Sequence, residues 1–308
     1  MLDKIIESSK YIVKNSNHVK INYKKLDEFI KEIDVSNFKC WLLYNPNNIL
    51  DLDTTVIVNL LLKFESIDYS FWGNLKWTIE TENGQKDGSD ALMYVMIKYA
   101  KENGTDFSKL SLDDFKRMLK GNVEIPLIEE RYNSVKEISE IENQKMNGSF
   151  YNYIKDVRED NELFDIIVKN FPSFKDERIY KGKEVYFYKL AELLTSDILH
   201  VREAKENIKV DCTHLTGCSD YKIPQTMRAL GIIEYDDELS KKVDSKKELK
   251  VNSEEEIEIR GTQIYVIYYI KEKLNNINMI DINDYFFTSS KKVKKLVKPY
   301  HMCRNTNY

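Results

Sequence analysis

The run Val56-Ile-Val58 followed by Leu60-Leu-Leu62 places the strongest limit on how this chain can fold. It is apolar on nearly every side of a 3.6-residue turn, and a helix that is apolar all round must be covered all round. The stretch from about Asp53 to Ile67 is therefore expected to be a central buried helix, with the rest of the chain as its cover. That cover also reads as helical. Leu2 to Lys14 sets Ile5, Ile6, Ser9, Ile12 and Val13 on one face, and Leu26, Phe29, Ile30 and Ile33 share a stripe on the next segment. Further helices are expected over Ser89 to Lys101, from Ser111 toward Gly121, over Ile128 to Glu142 and over Asn161 to Lys169. Lys183 to Val201 carries a long apolar stripe, and Ser253-Glu-Glu-Glu256 is a capping box that opens a helix running to Asn275. Strand signals are short, as at Trp77-Thr-Ile-Glu. Lys241 to Asn252 reads as a polar loop. The fold class is all-α with at most a minor β element, in one domain over residues 1–308.

Charge and cysteine usage narrow the function. Lys+Arg 47 against Asp+Glu 51 gives a net charge of -4, which argues against a nucleic-acid backbone as the main partner. The basic run Lys291 to Lys298 reads as a solvated helix face. Cys40, Cys212, Cys218 and Cys303 form no C-x-x-C pair and the first residues show no secretory apolar region, so reduced thiols in the cytoplasm are expected. No apolar run reaches the roughly 20 residues of a membrane span. The four His and four Cys show no metal-site spacing, and the glycines at Gly84 and Gly88 lack the ending of a phosphate-binding P-loop.

One stretch combines a helix start with an acid. In Gly217-Cys218-Ser219-Asp220-Tyr221-Lys222-Ile223-Pro224-Gln225, Pro224 suits the first turn of a helix and Gly231 supplies its stop. Asp220 then lies just ahead of the positive end of the helix dipole, which favours its ionised form. Two readings follow. Asp220 caps the helix, or it is an anion placed to act as nucleophile, base or stabiliser of a developing cation.

A series of short motifs runs through the chain in order. It includes His18-Val-Lys-Ile, Ile67-Asp-Tyr-Ser-Phe-Trp72, Asp87-Gly-Ser-Asp-Ala-Leu92, Ile125-Pro-Leu-Ile-Glu-Glu-Arg131 and Gly148-Ser-Phe-Tyr-Asn152. Asn170-Phe-Pro-Ser-Phe-Lys-Asp176, Tyr180-Lys-Gly-Lys-Glu-Val185, Lys189-Leu-Ala-Glu192, Leu215 to Gln225, Glu256-Ile-Glu-Ile-Arg-Gly261 and Asp284-Tyr285 complete it. In this set the chain resembles the queuosine salvage family, whose members act as queuosine 5′-phosphate N-glycosylases.

The resemblance implies a helical fold similar to helix-hairpin-helix DNA glycosylases and release of queuine, a 7-deazaguanine with a cyclopentenediol arm, from queuosine 5′-phosphate or queuosine. It makes Asp220 the catalytic candidate, because cleavage of an N-glycosidic bond builds positive charge on the ribose that a fixed carboxylate stabilises. Asp284 and Tyr285 become candidates for the base, His18 for the base or diol, Cys218 for the pocket wall and Lys189 for the 5′-phosphate or, failing that, for a structural pairing with an acid. Gly217-Cys218-Ser219 stands where the family usually has Met-Phe-Ala. Leu190 replaces an Arg, and Phe287-Thr288-Ser289-Ser290 replaces Leu-Trp-Asp, leaving Ser289 as a candidate contact. The expected enzyme is a monomer that uses water and no cofactor, with no metal, no membrane and no stable nucleic-acid partner. The alternative is a non-catalytic protein that binds a modified base or tRNA, with the run at Lys291 to Lys298 as its contact surface.

Overall fold

Several helix starts in this protein fall where a side chain can take the loose N–H groups of a first turn. In a computed structural model, described over residues 2–34, 38, 40–45, 47–209, 211–289 and 298–308, the Asp53 carboxylate accepts the Thr55 N–H at 2.8 Å. Ser111 accepts that of Asp114 at 3.1 Å, and Ser253 that of Glu256 at 3.3 Å. The chain opens with α1 (Asp3–Asn15), β1 (Val19–Ile21) and α2 (Tyr23–Glu32). Then come α3 (Thr54–Glu65), β2 (Thr78–Thr81), β3 (Gly84–Asp87) and α4 (Gly88–Asn103). They are followed by α5 (Leu112–Met118), α6 (Ile128–Lys145), α7 (Phe150–Ile154) and α8 (Asp160–Asn170). The hairpin of β4 (Glu177–Tyr180) and β5 (Lys183–Tyr186) leads into α9 (Lys189–Glu206). The series ends with α10 (Lys222–Ala229), β6 (Ile233–Tyr235), α11 (Asp237–Asp244), α12 (Glu254–Lys273) and α13 (Met279–Ser289). Among the described residues these strands form antiparallel pairs, β1 with β6, β2 with β3 and β4 with β5. The all-α reading with a minor β element holds.

Two local expectations need correction. The stripe from Lys183 to Val201 is not one helix, because residues 183–186 pair with β4 across the turn Lys181-Gly182, where φ is positive at both residues (45° and 79°). Such a pair of residues makes the tight turn that matches the twist of two strands. Lys241 to Asn252 is not loop throughout either, since α11 continues to Asp244 behind Asp236, whose side chain accepts the Leu239 N–H at 2.7 Å.

The chain divides into two compact units. One comprises Leu42–Lys175 and Leu194–Asp211 and is built on α3. Every residue of α3 from Ile57 to Glu65 is buried, as its all-round apolarity requires. Lys63 ion-pairs inside this unit with Glu142 of α6, whose other oxygen accepts the Phe150 N–H at 2.9 Å. After α3, Tyr69 and Trp72 are core side chains and Phe71 is half-buried. Arg131 of α6 holds that segment, donating to the carbonyls of Ile67 and Tyr69 while its guanidinium lies 4.4 Å from the Tyr69 ring centre.

The other unit gathers Met1–Trp41, Asp176–Leu193 and Cys212–Tyr308 around α12. Nearly all of α12 between Glu256 and Ile267 is buried, polar residues included. The Glu258 carboxylate accepts the Ser16 hydroxyl and the His18 N–H, each at 2.7 Å, and the Tyr180 hydroxyl at 2.8 Å. Gly261 lets α1 come close, since a Cβ there would meet Ile12 Cδ1 at 2.5 Å and Cβ at 2.9 Å. Arg260 ion-pairs with Asp176 at the foot of the β4–β5 hairpin and lies 4.1 Å from the Phe187 ring centre.

Candidate active site

The segment from Thr216 to Asp220 is irregular backbone with almost no solvent exposure, so its polar groups need partners inside the protein. It finds them on side chains. Glu192, in the first turn of α9, accepts the Thr216 N–H at 2.9 Å, the Thr216 hydroxyl at 2.7 Å and the Gly217 N–H at 3.3 Å. Gly217 has φ of 104°, a region where glycine is at home and other residues are strained. The Cys218 N–H donates to Asn283 Oδ1 at 2.9 Å, and the Cys218 carbonyl accepts from Gln263 Nε2. The Ser219 hydroxyl accepts from Arg260 at 2.9 Å. The Asp220 N–H donates to Gln263 Oε1 at 3.1 Å.

Asp220 itself is half-buried at the start of α10. Its Oδ1 accepts the Lys222 N–H and the Ile223 N–H, the latter at 3.0 Å. The capping reading is therefore realised, and on one oxygen only. Among the described residues no hydrogen bond reaches Oδ2. Loss of water pushes the carboxyl above the usual carboxylate range. The charge of Lys189, the N–H groups of Ile223 and Lys222 and the charge of Lys222 oppose that rise. Lys189 is buried as the first residue of α9, so its ammonium acts on Asp220 with little screening by water.

Asp284 lies within α13 and is buried. One oxygen accepts the Trp41 N–H at 2.9 Å and the other the Asn283 amide at 3.2 Å. Burial outweighs these two donors and, with the nearby Asp281, pushes its carboxyl up to about 7. A hydrogen-bond chain thus runs from Cys218 through Asn283 to Asp284. Tyr285 is half-buried against Phe29 and Phe38, with ring centres 6.2 and 4.9 Å away. Cys218 is buried, and Ser289 is half-buried at the last residue of α13.

His18 has other company. Its Nδ1 lies 2.7 Å from Asp236 Oδ2, at the N-terminus of α11. Burial alone lowers its pKa, yet the hydrogen bond to Asp236 and the charges of Glu258, Asp236 and Glu255 together raise it. Among the described residues no hydrogen bond joins the His18 ring to Asp220, Lys189 or Asp284. Residues 291–297 of the basic run lie outside the described residues; Lys298 is exposed, and its carbonyl accepts from Gln225 at 2.8 Å. Among the described residues no cluster of His, Cys, Asp and Glu could hold a metal ion, and no helix is long and apolar enough to cross a membrane.

Sequence reasoning about the site missed Glu192, Gln263, Asn283 and Arg260 as the residues that hold the Asp220 segment. Their signal was present as polar side chains inside otherwise apolar helix faces, which must find partners when buried.

Comparison with known proteins places these features in a wider group. The chain matches the profile of the queuosine salvage protein family over residues 50–308. It is 30% identical over 264 residues to the queuosine 5′-phosphate N-glycosylase/hydrolase of Sphaerobacter thermophilus, covering 82% of this chain and 81% of that protein. It is 27% identical over 285 residues to the mouse (Mus musculus) protein of the same name, covering 87% and 84%. The relative from Dictyostelium discoideum, also so named, is 27% identical over 287 residues, covering 87% and 86%.

Proposed function

The chain belongs to the queuosine salvage protein family, and from that premise we propose that it is an N-glycosylase that hydrolyses queuosine 5′-phosphate, or queuosine, to release queuine. The observation that carries the reading is Asp220, with Oδ1 anchored on the first N–H groups of α10 and Oδ2 left without a hydrogen bond among the described residues. A carboxylate anchored by one oxygen keeps a fixed direction for the other, and nothing has to reorganise when charge develops in front of it.

In this reading the bond between the ribose C1′ and the base nitrogen breaks with its electron pair going to the base. The sugar carbon becomes positive opposite Asp220 Oδ2. Water then supplies the oxygen that bonds to C1′, and its proton ends on the departing base. Asp220 acts as the counter-charge or by forming a transient ribosyl ester, and an ester trapped on Asp220 distinguishes the two. Lys189 keeps Asp220 ionised and takes the 5′-phosphate. The guanine-like edge of queuine offers N–H donors to Asp284, whose desolvated carboxyl gains most from partners that replace water. Tyr285, Cys218, Ser289 and His18 are carried as further contacts to the substrate. We assign the whole chain to a single glycosylase-like domain, acting as a cytoplasmic monomer on a small molecule.

The test is incubation of the purified protein with queuosine 5′-phosphate and, separately, queuosine, with free queuine followed by mass spectrometry. Release that disappears in Asp220→Ala is the expected result, and the ratio between the two substrates measures the part played by the phosphate. Tight queuine binding without release from either substrate would replace this reading with that of a modified-base-binding protein.

A further inference from the structure

We propose that Gln263 is a positioning residue for Asp220, its buried amide setting the direction of the carboxylate from behind. The inference rests on the N-glycosylase reading. Gln263 is fully buried on α12, one turn on from Arg260, and it is the residue that touches the Asp220 segment on both sides of Ser219. Its Oε1 takes the Asp220 N–H at 3.1 Å, and its Nε2 gives a hydrogen to the Cys218 carbonyl. Both contacts are met in a single orientation of the amide. Turned over, it would set N–H against N–H and oxygen against oxygen.

The pairing matters because Asp220 has two jobs that pull on one side chain. Oδ1 follows the N–H groups of Lys222 and Ile223, which belong to α10, while the Asp220 backbone N–H is tied to α12 through Gln263. The carboxylate is thus fixed between two helices, α10 at its tip and α12 at its root. Arg260 adds a second tie one residue earlier, at the Ser219 hydroxyl. Three consecutive residues are therefore registered against one face of α12. Without Gln263 the Cys218 carbonyl and Asp220 N–H lose their partners, and a buried segment re-forms to satisfy them.

Glutamate at this position separates a positioning role from one of bulk. Gln263→Glu keeps the shape and the acceptor for the Asp220 N–H. When ionised it faces the Cys218 carbonyl with a second acceptor and places another anion behind Asp220. When protonated it regains the lost donor. In Gln263→Glu we therefore expect kcat to fall about 100-fold, the size of effect that follows a displacement near 1 Å, with KM unchanged. The alkaline side of the pH profile should begin to descend at lower pH than in the unmutated enzyme, with activity returning as the pH is lowered until Asp220 itself takes a proton. Gln263→Met should lose kcat without that shift. Carboxyl ¹³C titration of Asp220, identified by its loss in Asp220→Asn, should move upward in Gln263→Glu. It reads on Gln263 even if the protein releases no queuine, in which case the functional reading fails and not the positioning one. In the unmutated protein the Asp220 amide should resist hydrogen exchange, whatever the variants do. Unchanged kcat and pH profile in Gln263→Glu, a loss confined to KM, an unmoved Asp220 titration or a freely exchanging Asp220 amide would each overturn the proposal.

Discussion

The Cys218 N–H donates to Asn283 at 2.9 Å, so a residue two positions before Asp220 is tied to the residue directly before Asp284. The candidate carboxylate of the glycosidic step and the candidate acceptor for the base thus sit at the two ends of a single hydrogen-bonded path. A change at either end can be felt at the other.

Asp220→Asn separates capping from chemistry. Asparagine caps a helix about as well as aspartate, so the cap is kept and denaturant unfolding should show a smaller loss of stability than Asp220→Ala. Queuine release should nevertheless fall on the order of 10²–10³-fold, the scale seen when one preorganised electrostatic partner of a transition state is removed. Equal loss of stability and activity would return Asp220 to a capping role alone.

Lys189→Met should move the acid limb of the activity profile. Lys189 is the leading influence holding the Asp220 carboxyl down against burial. With the ammonium gone, Asp220 takes up its proton at higher pH, and the acid limb shifts upward. If Lys189 also holds the 5′-phosphate, the same variant loses its preference for queuosine 5′-phosphate over queuosine, read from kcat/KM for each.

Asp284 should leave a mark on stability against pH. Its folded pKa, pushed up to about 7, lies above its unfolded value, so between about pH 4 and 7 the unfolded chain gives up this proton while the folded protein keeps it. Stability therefore falls as pH rises through that window, by a few kcal/mol when complete. Asp284→Asn, which does not titrate, should flatten the slope, and chemical unfolding at pH 4.5 and 8 would detect the difference. A slope that persists in Asp284→Asn would assign it to other groups.

Gly261→Ala should destabilise although alanine is the better helix former by about 1 kcal/mol. The added methyl meets Ile12 at 2.5–2.9 Å, and forcing α1 away typically costs about 1–3 kcal/mol. A double-mutant cycle with Ile12→Ala should show the smaller partner relieving the strain.

Asp176→Asn leaves the Arg260 guanidinium inside the protein without its principal counter-charge. Removing one partner of a buried ion pair costs about 3–5 kcal/mol, to be read as a lower denaturant midpoint at an unchanged slope.

Much of the helical frame could be read from periodicity and caps. Ser253, Ser111 and Asp53 start helices as their residue types suggest, and the apolar run is buried from Ile57 to Leu62 as it has to be. The β4–β5 hairpin was hidden because Val185, Tyr188 and Leu190 also suit a helical stripe, and Lys181-Gly182 is a weak turn signal beside it. Asp220 could be found from Pro224 and Gly231, since the residue before a helix start is a local matter. What holds Asp220 could not, because Glu192, Gln263 and Asn283 are 28, 43 and 63 residues away and polar residues in buried helices do not name their partners.

Gly261 has one more consequence, in time. α1 leaves the ribosome with an apolar edge built to meet a helix whose glycine is synthesised about 250 residues later. At the roughly 5–20 residues added each second, that is a wait of about 12–50 s. During that wait the segment Leu42–Lys175, with its own buried helix, can close on itself, while Ile5 and Ile12 stay uncovered on the nascent chain. For this protein, then, a helix made about 250 residues before its partner is among the last to be put away, and a cell that makes much of it has reason to keep a chaperone near α1.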